Sequence, residues 1–439
     1  MKKYVTVILS VLFCMLAALA GCGEPPQNNA AVPDGISVSG MKTAFVYGER
    51  FSSAGLKVTV SLSDGTKRTA VSGEYTVDSS AYDATAEGDY SIVVTYKERE
   101  LKTSYTVTVS KTQASGGESE DKDEEDQKKI DLWIIAGQSN AAGYSNLTQA
   151  VAGESYSYRE LLAGLDARNA SGYNVKYYGT TDVDYLSSMP EITMQNKVGM
   201  GLGRTADFIG PELGMANVLA ERTSKAETGI LKFACGGSFL CDIGCEAEYP
   251  TQKQYGNWTS PSIRAMAKEN GLTIHANNGL CYDRLLEVIE QGVRLLLADG
   301  YSVSVKGYIW MQGEADAGNA PGTDPAVWAN RYEAYLKLFI GDLRAAVAEI
   351  TQDEQAKTRP FVIGKINPSG DYGNFEEKVR TAEDRVAAAL ANVYTVESSD
   401  LLIKDGGTVL GSDAWHFNAR DMFTLGQRFA AKALEALAL

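Results

Sequence analysis

The stretch Asp131-Leu-Trp-Ile-Ile-Ala-Gly-Gln-Ser-Asn140 constrains the fold of the chain more than any other. Its apolar run, Leu132 to Ala136, stops abruptly at Gly137-Gln-Ser-Asn140. A brief apolar run that ends at a glycine is typical of a buried strand followed by a tight turn. Because ligands of open α/β sheets bind outside the carboxyl ends of the strands, Ser139 stands where a nucleophile would stand. The alternative is that Ser139 only caps the next helix, which serine often does.

From residue 130 onward, apolar strand-like segments alternate with helical ones. The strands are predicted at 131–136, 229–235, 306–311, 360–366 and 392–396. The helices are predicted at 211–222, 280–298, 325–350, 373–390 and 420–437. This alternation indicates an α/β domain over residues 130–439, with about five parallel strands covered by helices on both faces. Long loops at about 144–205 and 312–324 follow the first and third strands, where substrate pockets are usually built.

Residues 35–111 have a different pattern, in which short strand-like runs recur between turn signals. The runs lie at 36–38, 43–47, 56–62, 90–96 and 104–110. Alternating residues with regularly spaced turns predict a small all-β sandwich. The segment from Tyr47-Gly-Glu to Ser63-Asp-Gly65 resembles bacterial Ig-like domains of surface proteins. The resemblance implies a spacer, since no cluster of aromatic residues indicates sugar binding.

The first 21 residues have the pattern of an export signal. Lys2 and Lys3 precede an apolar run from Tyr4 to Leu19, and the segment closes at Leu19-Ala-Gly-Cys22. The run is short and ends in small residues, so a signal peptide is favoured over a membrane span. The closing residues resemble a bacterial lipobox, which implies a lipid on Cys22 and an extracytoplasmic protein anchored to the membrane. The alternative is an ordinary signal peptide with an incidental cysteine.

Two polar segments separate these parts of the chain. Residues 22–34 are rich in small and polar residues and predict a flexible tether. Residues 112–129 are crowded with acidic side chains, hold no large apolar residue and predict a solvated linker. Signal peptide, tether, Ig-like sandwich, linker and α/β domain therefore follow one another in that order.

The charge and the histidine count exclude several function classes. The formal net charge is -15, which argues against nucleic acid as a partner. The chain has two histidines, His275 and His416, which argues strongly against a histidine-rich zinc or iron site. A histidine general base must be one of these two. His275 has no acidic residue within several positions on either side, whereas Asp413 precedes His416 by three residues.

Four motifs fall where the carboxyl ends of the predicted strands converge. They are Gly137-Gln-Ser-Asn140, Cys235-Gly-Gly-Ser238, Trp310-Met-Gln-Gly-Glu-Ala-Asp316 and Asp413-Ala-Trp-His-Phe417. Acyl transfer needs a hydroxyl nucleophile, a base, an acid that orients the base, and donors for the oxyanion. Ser139, His416 and Asp413 supply the first three. The alternative for Asp413 and His416 is a local cap or a surface histidine whose hydrogen bonds are satisfied.

Donors for the oxyanion are also available in these motifs. The backbone N–H of Ser139 is one candidate, and Gly236 or Gly237 offers another because no side chain blocks the approach. Gln312 offers a side-chain amide. Taken alone, the glycine pair would be an ordinary turn and Gln312 a loop hydrogen bond. No metal or organic cofactor is needed for this chemistry.

Together the four motifs resemble the SGNH hydrolases, and in particular the sialate O-acetylesterase-like and acetylxylan-esterase-like carbohydrate esterases. The resemblance spans nearly all of 130–437 and includes Gly210-Pro-Glu-Leu-Gly214. It implies a three-layer α/β/α, flavodoxin-like sandwich that removes acetyl groups from a carbohydrate, with a second-motif glycine and Gln312 at the oxyanion. The departures are small: Cys235 precedes the glycine pair, and Gln312 stands where the wider superfamily has asparagine.

Further side chains are expected around the substrate. Gln138, Asn140 and Glu314 are candidates from the first and third motifs, and Glu314 either anchors the third loop or replaces Asp413 as the acid. Trp258, in a loop, is predicted to stack on a sugar face. Trp415 is a further candidate for stacking, and Trp310, which ends a strand, is equally suited to the core. Asp316 is expected to cap a turn.

The cysteines of the α/β domain leave several alternatives open. Cys235, Cys241, Cys245 and Cys281 allow three pairings in an exported protein. A zinc site of four thiolates has poor spacing, and buried thiols are a further alternative.

Two other functions remain open at this point. One is a serine lipase or thioesterase, and the other is a surface lipoprotein that binds glycan without catalysis. The choice between sialate and an acetylated polysaccharide as substrate is also open.

Overall fold

The computed structural model describes residues 31–46, 51, 53, 56–70, 74–83, 86–110, 128–180, 192–222, 226–243, 256–320, 324–370, 372–401 and 415–438. The chain divides into two compact units, Met1–Asp121 and Lys122–Leu439. Several sequence predictions lie outside the described residues: the signal peptide, Cys22, residues 112–127 of the linker, Cys245 and Asp413.

The first unit is a β-rich region of two small sheets. Its strands are β1 (Pro33–Ser39), β2 (Ala44–Val46), β3 (Lys57–Leu62), β4 (Lys67–Thr69), β5 (Tyr75–Asp78), β6 (Gly88–Tyr96) and β7 (Leu101–Ser110). One sheet has the order β1-β3-β4 and the other the order β2-β7-β6-β5. Alternate residues such as Val58, Val60, Ile92 and Val94 are buried. The expected all-β Ig-like region is confirmed, and the sequence pattern did not predict the short strands β4 and β5.

The second unit alternates strands with helices. Its strands are β8 (Lys128–Gly137), β9 (Ser145–Asn146), β10 (Lys176–Gly179), β11 (Thr193–Gln195), β12 (Phe208–Ile209), β13 (Glu227–Ala234), β14 (Tyr301–Met311), β15 (Phe361–Gly364) and β16 (Val393–Val396). Its helices are α1 (Ser139–Ala142), α2 (Tyr158–Leu165), α3 (Arg168–Ser171), α4 (Pro211–Leu219), α5 (Pro261–Glu269), α6 (Leu280–Ala298), α7 (Val327–Thr351), α8 (Glu376–Ala389) and α9 (Ala419–Ala436).

The main sheet of this unit has seven strands in the order β11-β10-β13-β8-β14-β15-β16. All neighbours are parallel except β11, which pairs with β10 antiparallel at the edge. The five predicted strands take the order 2-1-3-4-5 of flavodoxin-like sheets. The predicted mixed α/β fold is therefore confirmed. The sheet has one more parallel strand than expected, β10, and an antiparallel edge strand, β11. Both lie within residues 144–205, which were expected to form a loop.

The central strand β8 explains why the fold has helices on both faces. Ile130, Leu132 and Ile134 pack into one hydrophobic cluster, whereas Trp133 and Ile135 pack into another on the opposite face. Successive side chains of a strand point to opposite faces, so a continuous apolar run needs cover on both sides. The sheet is thereby held between two apolar layers.

Within the described ranges, no helix combines the length and the apolarity that crossing a membrane requires.

Candidate active site

Ser139 lies at a tight turn between β8 and the short helix α1. Gly137 ends the strand with φ +144°, and a Cβ there would lie 2.0 Å from the carbonyl oxygen of Met311 on the neighbouring strand. Only glycine fits this close approach. The Gln138 N–H donates to the same Met311 oxygen at 2.9 Å. The turn is therefore held against β14, and the Ser139 residue keeps 8% of its surface exposed.

A pocket of about 520 Å³ opens above this turn. Its lining in the described part of the chain consists of Gln138, Ser139, Tyr144, Gly236, Gly237, Phe239, Glu314, Ala315, Gly318, Asn319, Trp328, Tyr372, Gly373, Trp415 and His416. The pocket thus brings together residues from all four sequence motifs. Parallel strands end at one edge of the sheet, which is why residues far apart in sequence converge there.

The His416 ring stacks on Tyr144, with ring centroids 4.8 Å apart and an interplanar angle of 28°. Asn140 fixes the chain on either side of this histidine. Its Nδ2 donates to the Trp415 carbonyl oxygen at 3.2 Å, and its Oδ1 accepts from the Phe417 N–H at 3.4 Å. One side chain next to the candidate nucleophile therefore positions the segment that carries the candidate base.

Asn140 also donates to Glu314 Oε1 at 2.7 Å. Asn140 is 1% exposed and is not among the described residues that line the pocket, and its role in binding substrate stays a prediction. Its amide joins the first, third and fourth motifs. Glu314 is 4% exposed and lines the pocket. Burial raises the pKa of its carboxyl, and the Asn140 hydrogen bond and the nearby His416 oppose that rise.

Gln312 uses its side-chain amide for hydrogen bonds within the protein, and its role at the oxyanion stays a prediction. The residue is 0% exposed, and its Nε2 donates to Asp316 Oδ2 at 2.6 Å and to the Ser238 carbonyl at 3.0 Å. Gln138 Oε1 lies 3.2 Å from the same nitrogen and also accepts from the Gly313 and Ala315 N–H groups, each at 3.3 Å. Gln312 and Gln138 therefore hold the loops around the pocket in register.

Asp316 anchors the loop that follows β13. Its carboxylate accepts from the Leu240 N–H at 2.9 Å and from the Cys241 N–H at 2.8 Å. Burial raises the pKa of this carboxyl, and these hydrogen bonds oppose the rise. Asp316 therefore does more than cap a local turn, because it ties the loop that follows the second motif to the third motif.

Gly236 and Gly237 line the pocket at the start of the same loop. Gly237 has φ +67°, in the left-handed region that favours glycine. A Cβ on Gly236 would lie 2.9 Å from the Tyr144 hydroxyl. Glycine is therefore favoured at position 237 by its backbone conformation, and the backbone of the pair borders the cavity without a side chain in the way.

Trp258 is not a sugar platform, because the structure buries it completely, with 0% of its surface exposed. Its Nε1 donates to Ser238 Oγ at 2.6 Å, and its ring packs edge-on against Trp310, centroid to centroid 5.2 Å. A loop position alone does not reveal that burial. The large aromatic residue that is exposed at the pocket is Trp415, with 47% of its surface accessible.

The remaining predicted residues lie elsewhere. His275 is half-buried and does not line the pocket. Cys235, Cys241 and Cys281 are buried thiols. Burial raises the pKa of the Cys241 and Cys281 thiols well above the ordinary value. With Cys245 outside the described residues, the pairing of the cysteines stays open.

A buried ion pair supports the nucleophile turn, and sequence reasoning missed it. Lys232 Nζ lies 2.8 Å from Glu212 Oε2 and also donates to the Ala142 and Leu202 carbonyls, at 3.0 and 2.7 Å. Both charged residues are at most 1% exposed. The available signal was a lysine in the apolar strand β13, together with Glu212 in the Gly-Pro-Glu motif.

Comparisons with solved structures give distant likenesses. A protein from Arabidopsis thaliana is 18% identical, with 70% of this chain and 98% of that chain covered and a TM-score of 0.43. NanS is 14% identical, with 71% of this chain and 98% of that chain covered and a TM-score of 0.43. A carbohydrate acetylesterase from Xanthomonas citri is 15% identical, with 93% of this chain and 69% of that chain covered and a TM-score of 0.43. A comparison with the curated proteins found no match.

Two family models match the chain. Residues 38–109 match the bacterial Ig-like domain, group 3. Residues 129–435 match the family described as carbohydrate esterase, sialic acid-specific acetylesterase. This second match covers well over half of the chain and contains every residue of the pocket. The chain therefore belongs to the sialic acid-specific acetylesterase family of carbohydrate esterases and is a carbohydrate O-acetylesterase.

Proposed function

We propose that this carbohydrate acetylesterase works through a serine nucleophile, Ser139, and a histidine base, His416. The observation that carries the proposal is that both residues line one pocket, together with the glycine pair Gly236-Gly237. A hydroxyl, an imidazole and accessible backbone N–H groups around one cavity are the groups that acyl transfer needs.

The reaction proceeds in two halves. His416 takes the proton of the Ser139 hydroxyl while the oxygen attacks the acetyl carbonyl carbon, and the resulting oxyanion is bound by the N–H groups of Ser139 and of Gly236 or Gly237. The intermediate collapses, and His416 returns the proton to the departing sugar oxygen. His416 then deprotonates a water molecule, which attacks the acetyl-enzyme, and returns that proton to the Ser139 oxygen as acetate leaves.

The acid that orients His416 is proposed to be Asp413, as the spacing Asp-x-x-His indicates. Glu314 is buried beside the same histidine, and the electrostatic attraction of His416 lowers the pKa of the Glu314 carboxyl against the effect of burial. We assign Glu314 to holding Asn140, because its Oε1 accepts from that amide at 2.7 Å. The variants Asp413→Ala and Glu314→Gln separate the two roles. The variant that removes the acid orienting His416 is expected to lower kcat with little effect on KM.

Acetate release from an acetylated carbohydrate tests the proposal. Ser139→Ala and His416→Ala are expected to lower kcat by a factor on the order of 10³ or more. His275→Ala is the matched control for the base, because it removes the other histidine from a site outside the pocket. Ser171→Ala, on the exposed end of α3, is the control for the nucleophile. Full activity of Ser139→Ala contradicts the assignment of the nucleophile.

We further propose that the enzyme is exported and anchored to the cell membrane through a lipid on Cys22. The support is the Leu-Ala-Gly-Cys22 sequence after a short apolar run. Metabolic labelling with a fatty acid is expected to mark the full-length protein, and Cys22→Ser is expected to lose the label. A labelled Cys22→Ser protein contradicts the anchor site.

A further inference from the structure

We propose that Trp415 is a platform for the sugar ring and that the pocket selects an uncharged acetylated sugar over one that carries a carboxylate. This inference rests on the proposed function and extends it to the class of substrate. The family description names sialic acid, which carries a carboxylate. The side chains of this chain's own pocket are matched to a neutral sugar.

The first observation is the exposure of Trp415 at the pocket. Large aromatic residues are usually buried, yet this one keeps 47% of its surface exposed and directly precedes His416. Its backbone is fixed, since its carbonyl accepts from Asn140 Nδ2 at 3.2 Å and from the Tyr372 hydroxyl at 3.1 Å. An exposed aromatic face on a fixed backbone at the mouth of a sugar-binding pocket suits stacking against the apolar face of a sugar ring.

The second observation is the charge of the lining. Glu314 lines the pocket and is buried, and no lysine or arginine belongs to the lining in the described part of the chain. The Arg204 guanidinium lies 5.0 Å from the Tyr144 ring centroid and is not itself a lining residue. Recognition of a carboxylate ordinarily uses arginine or lysine. A buried carboxyl can accept a hydrogen bond from a sugar hydroxyl, and it offers no positive charge to pair with a carboxylate.

The third observation is an apolar wall inside the pocket. Phe239 and Trp328 are buried, with ring centroids 4.7 Å apart, and both line the cavity. The overall charge of -15 adds a long-range field that disfavours anionic ligands. The wall suits the acetyl methyl group, the buried carboxyl suits a hydroxyl, and Trp415 suits the ring.

The test compares one sugar with and without its charge. We expect O-acetyl N-acetylneuraminic acid methyl ester to have a kcat/KM for acetate release roughly tenfold above that of the free acid. Acetylated xylo-oligosaccharides are expected to exceed the free acid by at least as much. The free acid performing as well as its methyl ester overturns the proposal. Hydrolysis of 4-nitrophenyl acetate is measured in parallel, and silence on every ester indicates instead that the proposed catalytic function has failed.

Two variants separate the platform from the charge. Trp415→Ala is expected to lower kcat/KM for acetylated xylo-oligosaccharide roughly fivefold to tenfold more than for 4-nitrophenyl acetate, and Trp415→Phe restores much of the difference. An equal loss on both esters contradicts the platform.

Asn319→Lys adds a cation at the exposed rim, and Asn319→Gln is its matched control. The lysine variant is expected to narrow the gap between acid and methyl ester, and an unchanged gap counts against selection by charge.

Discussion

The side-chain amide of Asn140 donates to Glu314 Oε1 at 2.7 Å, between residues 174 positions apart in the chain. The same amide also holds the Trp415 carbonyl, so the residue after the candidate nucleophile links the third motif to the segment of the candidate base. The arrangement of the pocket therefore depends on a buried polar side chain that is not among the described residues lining the cavity. Removing it tests whether the three motifs act as one unit.

Asn140→Leu, which has a similar volume, is expected to leave Glu314 Oε1 and the Phe417 N–H without their partner. A buried polar group that loses its hydrogen bond costs about 1–3 kcal/mol of folding free energy, measured here by urea unfolding. We also expect kcat to fall more than KM rises, because the segment that carries His416 is released. Asn196→Leu, at an exposed site outside the pocket lining, is the control. A variant with wild-type stability and wild-type kcat contradicts the linking role of Asn140.

Lys232→Met tests the buried ion pair below the nucleophile turn. Removing one partner leaves Glu212 charged and buried, which is expected to cost about 3–5 kcal/mol. Lys232→Met with Glu212→Gln removes both charges and is expected to recover part of that loss. Lys357→Met removes one partner of the exposed pair with Glu354 and is expected to change stability by less than ~1 kcal/mol. If the wild type, Lys232→Met and the double variant all unfold at the same urea concentration, the ion pair does not support the turn.

Glu383 predicts a pH dependence of stability. It is 0% exposed on α8, and burial, followed by repulsion from Glu314, raises the pKa of its carboxyl well above 4.5. Because its pKa is raised in the folded state, the carboxyl stabilises the fold at a pH below its pKa in the unfolded chain. This contribution is lost as the pH rises through the pKa of the folded state. The Glu383→Gln side chain does not ionise, so the stability of this variant relative to the wild type should increase from about pH 4.5 upward.

Thermal unfolding between pH 4 and 8 measures the difference. At pH 8 we expect Glu383→Gln to exceed the wild type by on the order of 1 kcal/mol or more, with a much smaller difference at pH 4. Glu377→Gln, whose side chain is 82% exposed on the same helix, is the control. A difference that does not change with pH contradicts the raised pKa.

Local patterns predicted the elements of the sheet but not the contacts of the side chains at its edge. The apolar run of β8 and the helical spacing of α6 depend on neighbours in sequence, so both were predictable. β10 has four residues and lies between polar segments, and its pairing with β13 is a long-range contact. The burial of Trp258 and Gln312 could not be predicted for the same reason. Their loops were correctly located, but packing against Trp310 and Asp316 determines where their side chains point.

Covalent trapping of Ser139 tests the central claim most directly. An alkyl fluorophosphonate imitates the tetrahedral intermediate and forms a stable bond to an activated serine. Peptide mass spectrometry of the labelled full-length protein is expected to find the adduct on the peptide that contains Ser139, with no label in His416→Ala and normal labelling in His275→Ala. An adduct confined to another serine, or labelling that persists in His416→Ala at the wild-type rate, contradicts the account.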